Sequence, residues 1–197
     1  MSIVEEFFCE IDERGPFSSG GRPRLHLIGS CALMLQADYE RGTKDSDVFQ
    51  TIDLSRQLGD RLLAIAGKGT ELHRRRRIYL EIVGNGLPFL PWPPLWRPAR
   101  SLANRLIHLD LHVLDAVDVV VSKLKRLNEN DLADIAAMID LELVPHRLLV
   151  ERFRSAVDAF SGDARASDLP TYVANLHRVE RDMVGADETE IALPSWI

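Results

Sequence analysis

The order of apolar and polar positions predicts a mixed first part and an all-helical second part. Ile3, Phe7, Phe8 and Ile11 recur at helical spacing and predict an amphipathic helix over Ile3–Glu13. The Gly- and Pro-containing piece Gly15–Pro23 reads as a loop. Leu25–Ile28 is a short apolar run of buried-strand type, Cys31–Gln36 favours helix with Ser30 at the N-cap position, and Ser46–Thr51 reads as a second strand. Asp53 or Ser55 is placed to cap a helix over Leu54–Ala66, with Leu58, Leu62 and Ile65 on one stripe and Gly67 and Gly69 at its end. Arg77–Val83 and Leu106–Val113 have strand character; between them the five prolines of Gly84–Pro98 argue against regular structure. From Ala116 onward the rhythm is helical, over Ala116–Leu127, Asp131–Asp140, Pro145–Phe160 and Leu169–Val184. The prediction is an α/β (α+β) protein: a small mixed sheet with flanking helices in residues 1–115, then a C-terminal helical bundle in residues 116–197 docked on it.

Composition narrows the classes. A chain of 197 residues can bury a sizeable core, its 46% hydrophobic content is ordinary, and no apolar run approaches membrane-spanning length. Cys9 and Cys31 are too few for a disulfide framework or a zinc cluster. The opening MSIVEEFFCEIDERG lacks a basic region followed by an apolar one, so a cytoplasmic protein is expected. The net charge of −6 is uneven: residues 1–109 carry 15 basic and 13 acidic side chains, residues 110–197 carry 9 and 17. Polyanion contact is therefore expected in the first part.

Chemistry concentrates in Leu25–Gln50. The Gly29–Ser30 turn between strand and helix suits an anion, because helix-start N–H groups point outward and glycine lets a phosphate approach. Asp45 and Asp47, at i and i+2 of a strand, point to one face. Two neighbouring carboxylates favour a cation between them, and Mg²⁺ takes carboxylate and phosphate oxygens. A phosphate cradle followed by a metal-binding acid pair is the minimum equipment for nucleotidyl transfer.

Strand, Gly29-Ser30, helix, loop and Asp45-Ser46-Asp47 together resemble the signature of the nucleotidyltransferase fold of the polymerase-beta superfamily. The lead-in at Thr43 is similar to that of small bacterial members, including abortive-infection toxins of toxin–antitoxin pairs. The resemblance covers Leu25–Thr51, with a weaker echo over Lys123–Asp134. It implies Mg²⁺ (or Mn²⁺), an NTP, and nucleotide contacts from Gly29, Ser30 and Thr43. It also implies a third carboxylate on a neighbouring strand: Glu81, the only acid of an apolar strand, or Asp110, whose neighbours His108 and His112 share its face and make a metal site there conceivable. Lys123, on the polar side of its helix, with Asp131 and Asp134 resembles the lysine and D-x-x-D segment thought to serve the nucleotide site in those toxins; Asp131 alone would suit a helix N-terminus.

Two further features stand apart. Arg74, Arg75, Arg76 and Arg77, after His73 and with Arg97, Arg100 and Arg105 nearby, suit a triphosphate or RNA backbone, or form a solvated loop with internal ion pairs. Trp92 and Trp96 could form a stacking platform or pin the proline loop to the core. The leading functional expectation is Mg²⁺-dependent transfer from an NTP to tRNA or other RNA, a protein or a small molecule, with a place in a toxin–antitoxin pair beside a cognate partner among the roles it allows and with no membrane role. The alternatives are a catalytically inactive antitoxin or scaffold of the same fold, and a nucleic-acid-binding protein using the arginines.

Overall fold

The structure is a computed structural model and describes residues 1–15, 17, 21–37, 39–40, 42, 44–51, 53–84 and 88–196. The chain forms two compact units, Met1–Leu87 with Trp96–Leu114, and Pro88–Leu95 with Asp115–Ile197. The mixed α/β class expected from the pattern is the one observed.

The first unit opens with α1 (Ile3–Arg14), started by a capping box in which Ser2 and Glu5 satisfy each other's backbone N–H groups. Its buried stripe is Val4, Phe7, Phe8 and Ile11; Ile3, expected inward, is 45% exposed. Then follow β1 (Arg24–Ile28), α2 (Gly29–Met34), β2 (Asp45–Phe49), α3 (Arg56–Ala66), α4 (Glu71–Arg76), β3 (Tyr79–Val83), β4 (Trp96–Pro98) and β5 (Asp110–Leu114). The sheet order is β3-β2-β1-β5-β4, with β1 antiparallel to β2, β4 antiparallel to β5, and the other pairs parallel.

One sheet face is apolar: Leu25, Leu27, Val48, Leu80, Leu111 and Val113 are buried there. Burying each such side chain favours folding by about 1.5–3 kcal/mol. Helix α3 packs on this face so closely that a Cβ on Gly59 would lie 2.9 Å from Ile82 Cδ1. The opposite face carries the polar alternates Asp45, Asp47, Tyr79 and Glu81, together with His26, Phe49, Asp110 and His112. Ser46, between the two aspartates, points to the apolar side; its buried hydroxyl finds no hydrogen-bond partner among the described residues.

Four expectations need correction. The helix after β1 begins at Gly29 and has no side-chain cap, so Ser30 lies in its first turn and is not the N-cap. Arg74–Arg76 belong to the short helix α4, capped by Thr70, and Arg77 ends it in the left-handed conformation (φ 62°), so strand begins only at Tyr79. The proline-rich loop yields an edge strand, β4, where Pro98 is tolerated at the sheet margin. Leu106–Leu109 do not extend β5: the buried Asp12 carboxylate accepts the N–H groups of Ile107, His108 and Leu109 at 2.7–2.8 Å, while Arg22 donates to the carbonyls of Leu106 and Leu109. Three successive N–H groups are thus spent on the Asp12 carboxylate of α1 and two carbonyls on Arg22, so they are not available to a ladder.

The second unit contains α5 (Ala116–Lys123), α6 (Glu129–Asp140), α7 (His146–Phe160), a 3₁₀ turn, α8 (Leu169–Val179) and a π-helical continuation, Glu180–Val184. Residues 88–95 join it through Phe89, which is fully buried against Phe153, Phe160 and Tyr172 at ring separations of 5.1–5.5 Å. Buried Asp118 and its partner Arg152 hold the same segment, Arg152 donating to Pro93 O and Leu95 N–H donating to Asp118. Among the described residues no helix is long and apolar enough to cross a membrane.

Candidate active site

Strand pairing assembles the acids. Asp47 lies beside Glu81 in the parallel β2–β3 register and opposite Ile28 in the antiparallel β1–β2 register; Asp45 lies beside Tyr79. Asp45, Asp47 and Glu81 thus share a face, and each offers a carboxylate oxygen within 4.8 Å of the others. Asp45 and Glu81 are exposed and Asp47 is half-buried. Among the described residues this is the one group of three or more His, Cys, Asp or Glu side chains close enough to hold a metal ion. The donor set fits a hard divalent cation: three carboxylates offer oxygen only, and their mutual repulsion favours a positive charge between them.

The turn after β1 faces the same place. Gly29 has φ +69°, a conformation that favours glycine, and a Cβ there would lie 3.0 Å from Asp47 Oδ2. A side chain at this position would therefore both strain the backbone and press on the carboxylate. Cys31 Sγ donates to Asp45 O at 3.3 Å, tying the start of α2 to the start of β2. Ser30 is half-buried in that first turn. Thr43 lies outside the described residues.

Tyr79 and Lys68 join the acids, and neither was singled out in the sequence. Burial first, and then the fields of Asp45, Glu81 and Asp47, push the Tyr79 phenol above the usual tyrosine range. The Lys68 ammonium lies 5.8 Å from the centre of the Tyr79 ring, and His73 meets that ring edge-on at 5.1 Å. His73 Nδ1 accepts the Gly69 N–H at 2.9 Å, so the imidazole proton sits on Nε2 when the ring is neutral. The available signal was Lys68 between two glycines, ahead of a strand whose first residue alternates onto the acidic face.

The other candidates lie elsewhere. Asp110 pairs with Arg24 at 3.1 Å and with His112 at 3.3 Å, whereas His108 sits in the bend before β5 with its ring stacked near Phe17. The expected shared face of His108, Asp110 and His112 is therefore not formed. Arg75 pairs with Glu10, Arg76 with both Glu6 and Glu10, and Arg74 donates to Gly69 O at 3.1 Å, so this run fastens α4 to α1. Trp92, 74% exposed, exchanges hydrogen bonds with Ser155 in the second unit, while Trp96 lies in β4 of the first.

Lys123, read as a polar-face residue, is only 8% exposed. Its ammonium lies 3.0 Å from Asp131 and 2.7 Å from Asp134, both buried, and Arg126 adds two further bonds to Asp131. Burial opposes ionisation of Asp131, but bonds from Arg126 and the charge of Lys123 outweigh it and hold the carboxyl below the usual range. Asp131 also completes a capping box with Asn128 at the start of α6.

No curated protein and no solved structure matches the chain significantly. A family model does, over residues 10–169, a span that includes all three clustered acids; its description is "Nucleotidyltransferase of unknown function (DUF6036)". The chain belongs to this nucleotidyltransferase family.

Proposed function

We propose that the protein transfers a nucleotidyl group from an NTP to a hydroxyl acceptor, with Asp45, Asp47 and Glu81 holding Mg²⁺ or Mn²⁺. The convergence of these three carboxylates on an exposed strand face carries the reading. A divalent ion held there would offset phosphate charge and lower the pKa of an attacking hydroxyl. The chain's own groups supply placement. Gly29 leaves room for a phosphate near the backbone, and the Ser30 hydroxyl donates to a phosphate oxygen. Lys68 adds positive charge beside Tyr79, beyond Asp45, where the leaving pyrophosphate departs. Pairing of β2 with β1 and β3 fixes the acids on neighbouring strands, so little reorganisation is needed when substrate binds.

Titration calorimetry with an NTP, with and without Mg²⁺, tests this for wild type, Asp47→Asn and Ser30→Ala. Metal-dependent binding should weaken at least tenfold in Asp47→Asn. Transfer of label from NTP to components of a cell extract should fall by about 100-fold or more, as expected when charge stabilisation at a transferring phosphoryl group is lost. Equal affinity with and without Mg²⁺ in wild type, or unchanged transfer in Asp47→Asn, would overturn the proposal.

A further inference from the structure

The acids occupy one end of a sheet face whose remaining positions the transfer reading leaves unused. Phe49 stands two residues beyond Asp47 on β2, roughly 7 Å along the strand and on the same side. It pairs with His26 of β1, and His26 pairs with His112 of β5. Trp96 reaches this group from β4, its ring 6.1 Å from Phe49 at an interplanar angle of 31° and 4.6 Å from His26 at 66°. His26 is buried and braces the indole edge-on, with His112 5.7 Å behind it. Phe49 and Trp96 are only half-buried. Two gently inclined aromatic rings are thus held on a surface by a packed histidine.

Strand direction says which side of the acids this surface occupies. Gly29 follows Ile28, opposite Asp47. Because β1 and β2 are antiparallel, the step from Asp47 to Phe49 runs back from Ile28 to His26, away from the Gly29–Ser30 turn. Tyr79, with Lys68 over its ring, lies in the other direction, beside Asp45. Phosphate-binding groups and aromatic rings therefore flank the acids on opposite sides. In an in-line displacement the attacking oxygen enters opposite the leaving pyrophosphate. The aromatic side is the acceptor's side.

We propose that Phe49, Trp96 and His26 form a stacking shelf for a nucleobase of the acceptor. The attacking hydroxyl then belongs to a ribose, on a free nucleotide or at the end of an RNA strand. Every base has a π face, so such a shelf selects nucleosides over side-chain hydroxyls without choosing among bases. The ribose oxygen forms a bond to the NTP α-phosphorus. The bond from that phosphorus to the oxygen bridging to the β-phosphate breaks, and pyrophosphate leaves with the electron pair. The hydroxyl proton passes to a carboxylate of the cluster and on to water. This rests on the transfer reading for its chemistry, but the shelf itself can be tested without it.

The test uses the full chain with Trp92→Phe and Trp196→Phe, so that Trp96 is the sole indole. AMP and a short oligoadenylate RNA are titrated in the absence of NTP and metal, and Trp96 fluorescence is followed. Saturable quenching is expected, at least tenfold weaker in affinity with Phe49→Leu, which keeps an apolar side chain but removes the ring. Quenching by both ligands with transfer only to RNA identifies a strand end; transfer to AMP identifies a free nucleotide. In the transfer assay Phe49→Leu should raise the acceptor KM while NTP affinity by calorimetry stays as in wild type. No quenching by either ligand, equal quenching in Phe49→Leu, or label found on protein and indifferent to Phe49→Leu overturns the shelf. Metal-dependent NTP binding that persists in that case leaves the transfer reading standing. Quenching without any metal-dependent NTP binding does the reverse.

Discussion

Two acid clusters in this molecule solve the same electrostatic problem in opposite ways. Asp45, Asp47 and Glu81 converge on one another at a strand surface, with two of the three exposed. Asp131 and Asp134 converge on Lys123, and all three are buried. Burial makes an unpaired charge very costly, so the second cluster must carry its cation within the fold. Exposure lets the first remain accessible to an ion from solution. Gathering acids is thus no functional signal by itself; what distinguishes the clusters is that the second is buried with a lysine while two acids of the first face solvent. In the second cluster Asp131 caps a helix, while in the first Asp47 faces the turn where Gly29 excludes a side chain.

The contrast is broken most directly at Lys123. Lys123→Met keeps a long apolar stem but takes the ammonium away from two buried carboxylates, Asp131 and Asp134. Removing one partner of a buried pair costs about 3–5 kcal/mol. Urea unfolding should show a loss of that order, while Asp47→Asn, which relieves repulsion at a half-buried position of a solvent-facing cluster, should cost less than about 1 kcal/mol in metal-free buffer. If the two variants are equally destabilised, the distinction between a buried, lysine-paired cluster and a solvent-facing one is wrong.

Glu180 extends the comparison to an acid satisfied by donors. It is fully buried, accepts from Thr189 N–H at 3.0 Å and Thr189 Oγ1 at 2.6 Å, and meets His146 Nε2 at 2.8 Å. Burial opposes its ionisation, yet the bonds from Thr189 and His146 prevail and hold the carboxyl below the usual glutamate range. The folded state thus releases this proton more readily than the unfolded chain. Its contribution is complete above the ordinary glutamate pKa and is lost as pH falls through the lower folded value. Protection of the Thr189 amide, measured against its intrinsic exchange rate at each pH, should fall on acidification through that window. Glu180→Gln should lower it at neutral pH by an amount equivalent to about 2 kcal/mol, the scale of hydrogen bonds to a charged group. Exchange indifferent to both would show that Glu180 does not hold this segment.

How much was legible follows from how local each feature is. The strand, the Gly29–Ser30 turn and the spacing of Asp45 and Asp47 lie within one short stretch, so alternation and turn chemistry expose them. Glu81 stood out as an acid in an apolar strand, but its place beside Asp47 depends on a parallel register across intervening helices that no local rule supplies. The burial of Lys123 was hidden because its partners lie on the following helix, and a lysine considered alone is assigned to water. Leu106–Leu109 misled because buried leucines look the same whether their backbone joins a ladder or is claimed by a distant carboxylate such as Asp12. The second tryptophan of the proline loop became part of a sheet because Pro98 sits on an edge, where a missing N–H costs little.

The smallest expected effect reports on the exposed cluster without any turnover. Tyr79 is raised by burial and by Asp45, Glu81 and Asp47, whereas Tyr172 in the second unit is raised by burial and chiefly Asp168. A raised phenol keeps its proton more tightly in the folded state. As pH climbs past the ordinary tyrosine value of about 10, the unfolded chain loses its proton first and folding stability declines. A cation bound by the three acids offsets their field, which should move the Tyr79 midpoint down and leave Tyr172 in place. Ca²⁺ suits the measurement, since it takes the same oxygen donors and remains soluble in alkali. The phenolate midpoint, isolated by comparing wild type with Tyr79→Phe, should move to lower pH with Ca²⁺. Asp45→Asn should reproduce part of that shift without metal and reduce the response to it, because one of the three charges is already gone. Burial remains in every case, so the midpoint should stay above the ordinary value. A Tyr79 midpoint that ignores Ca²⁺ yet responds to Asp45→Asn would mean that the carboxylates act on the phenol but do not gather a cation, and exposure of the first cluster would then be no sign of a metal site.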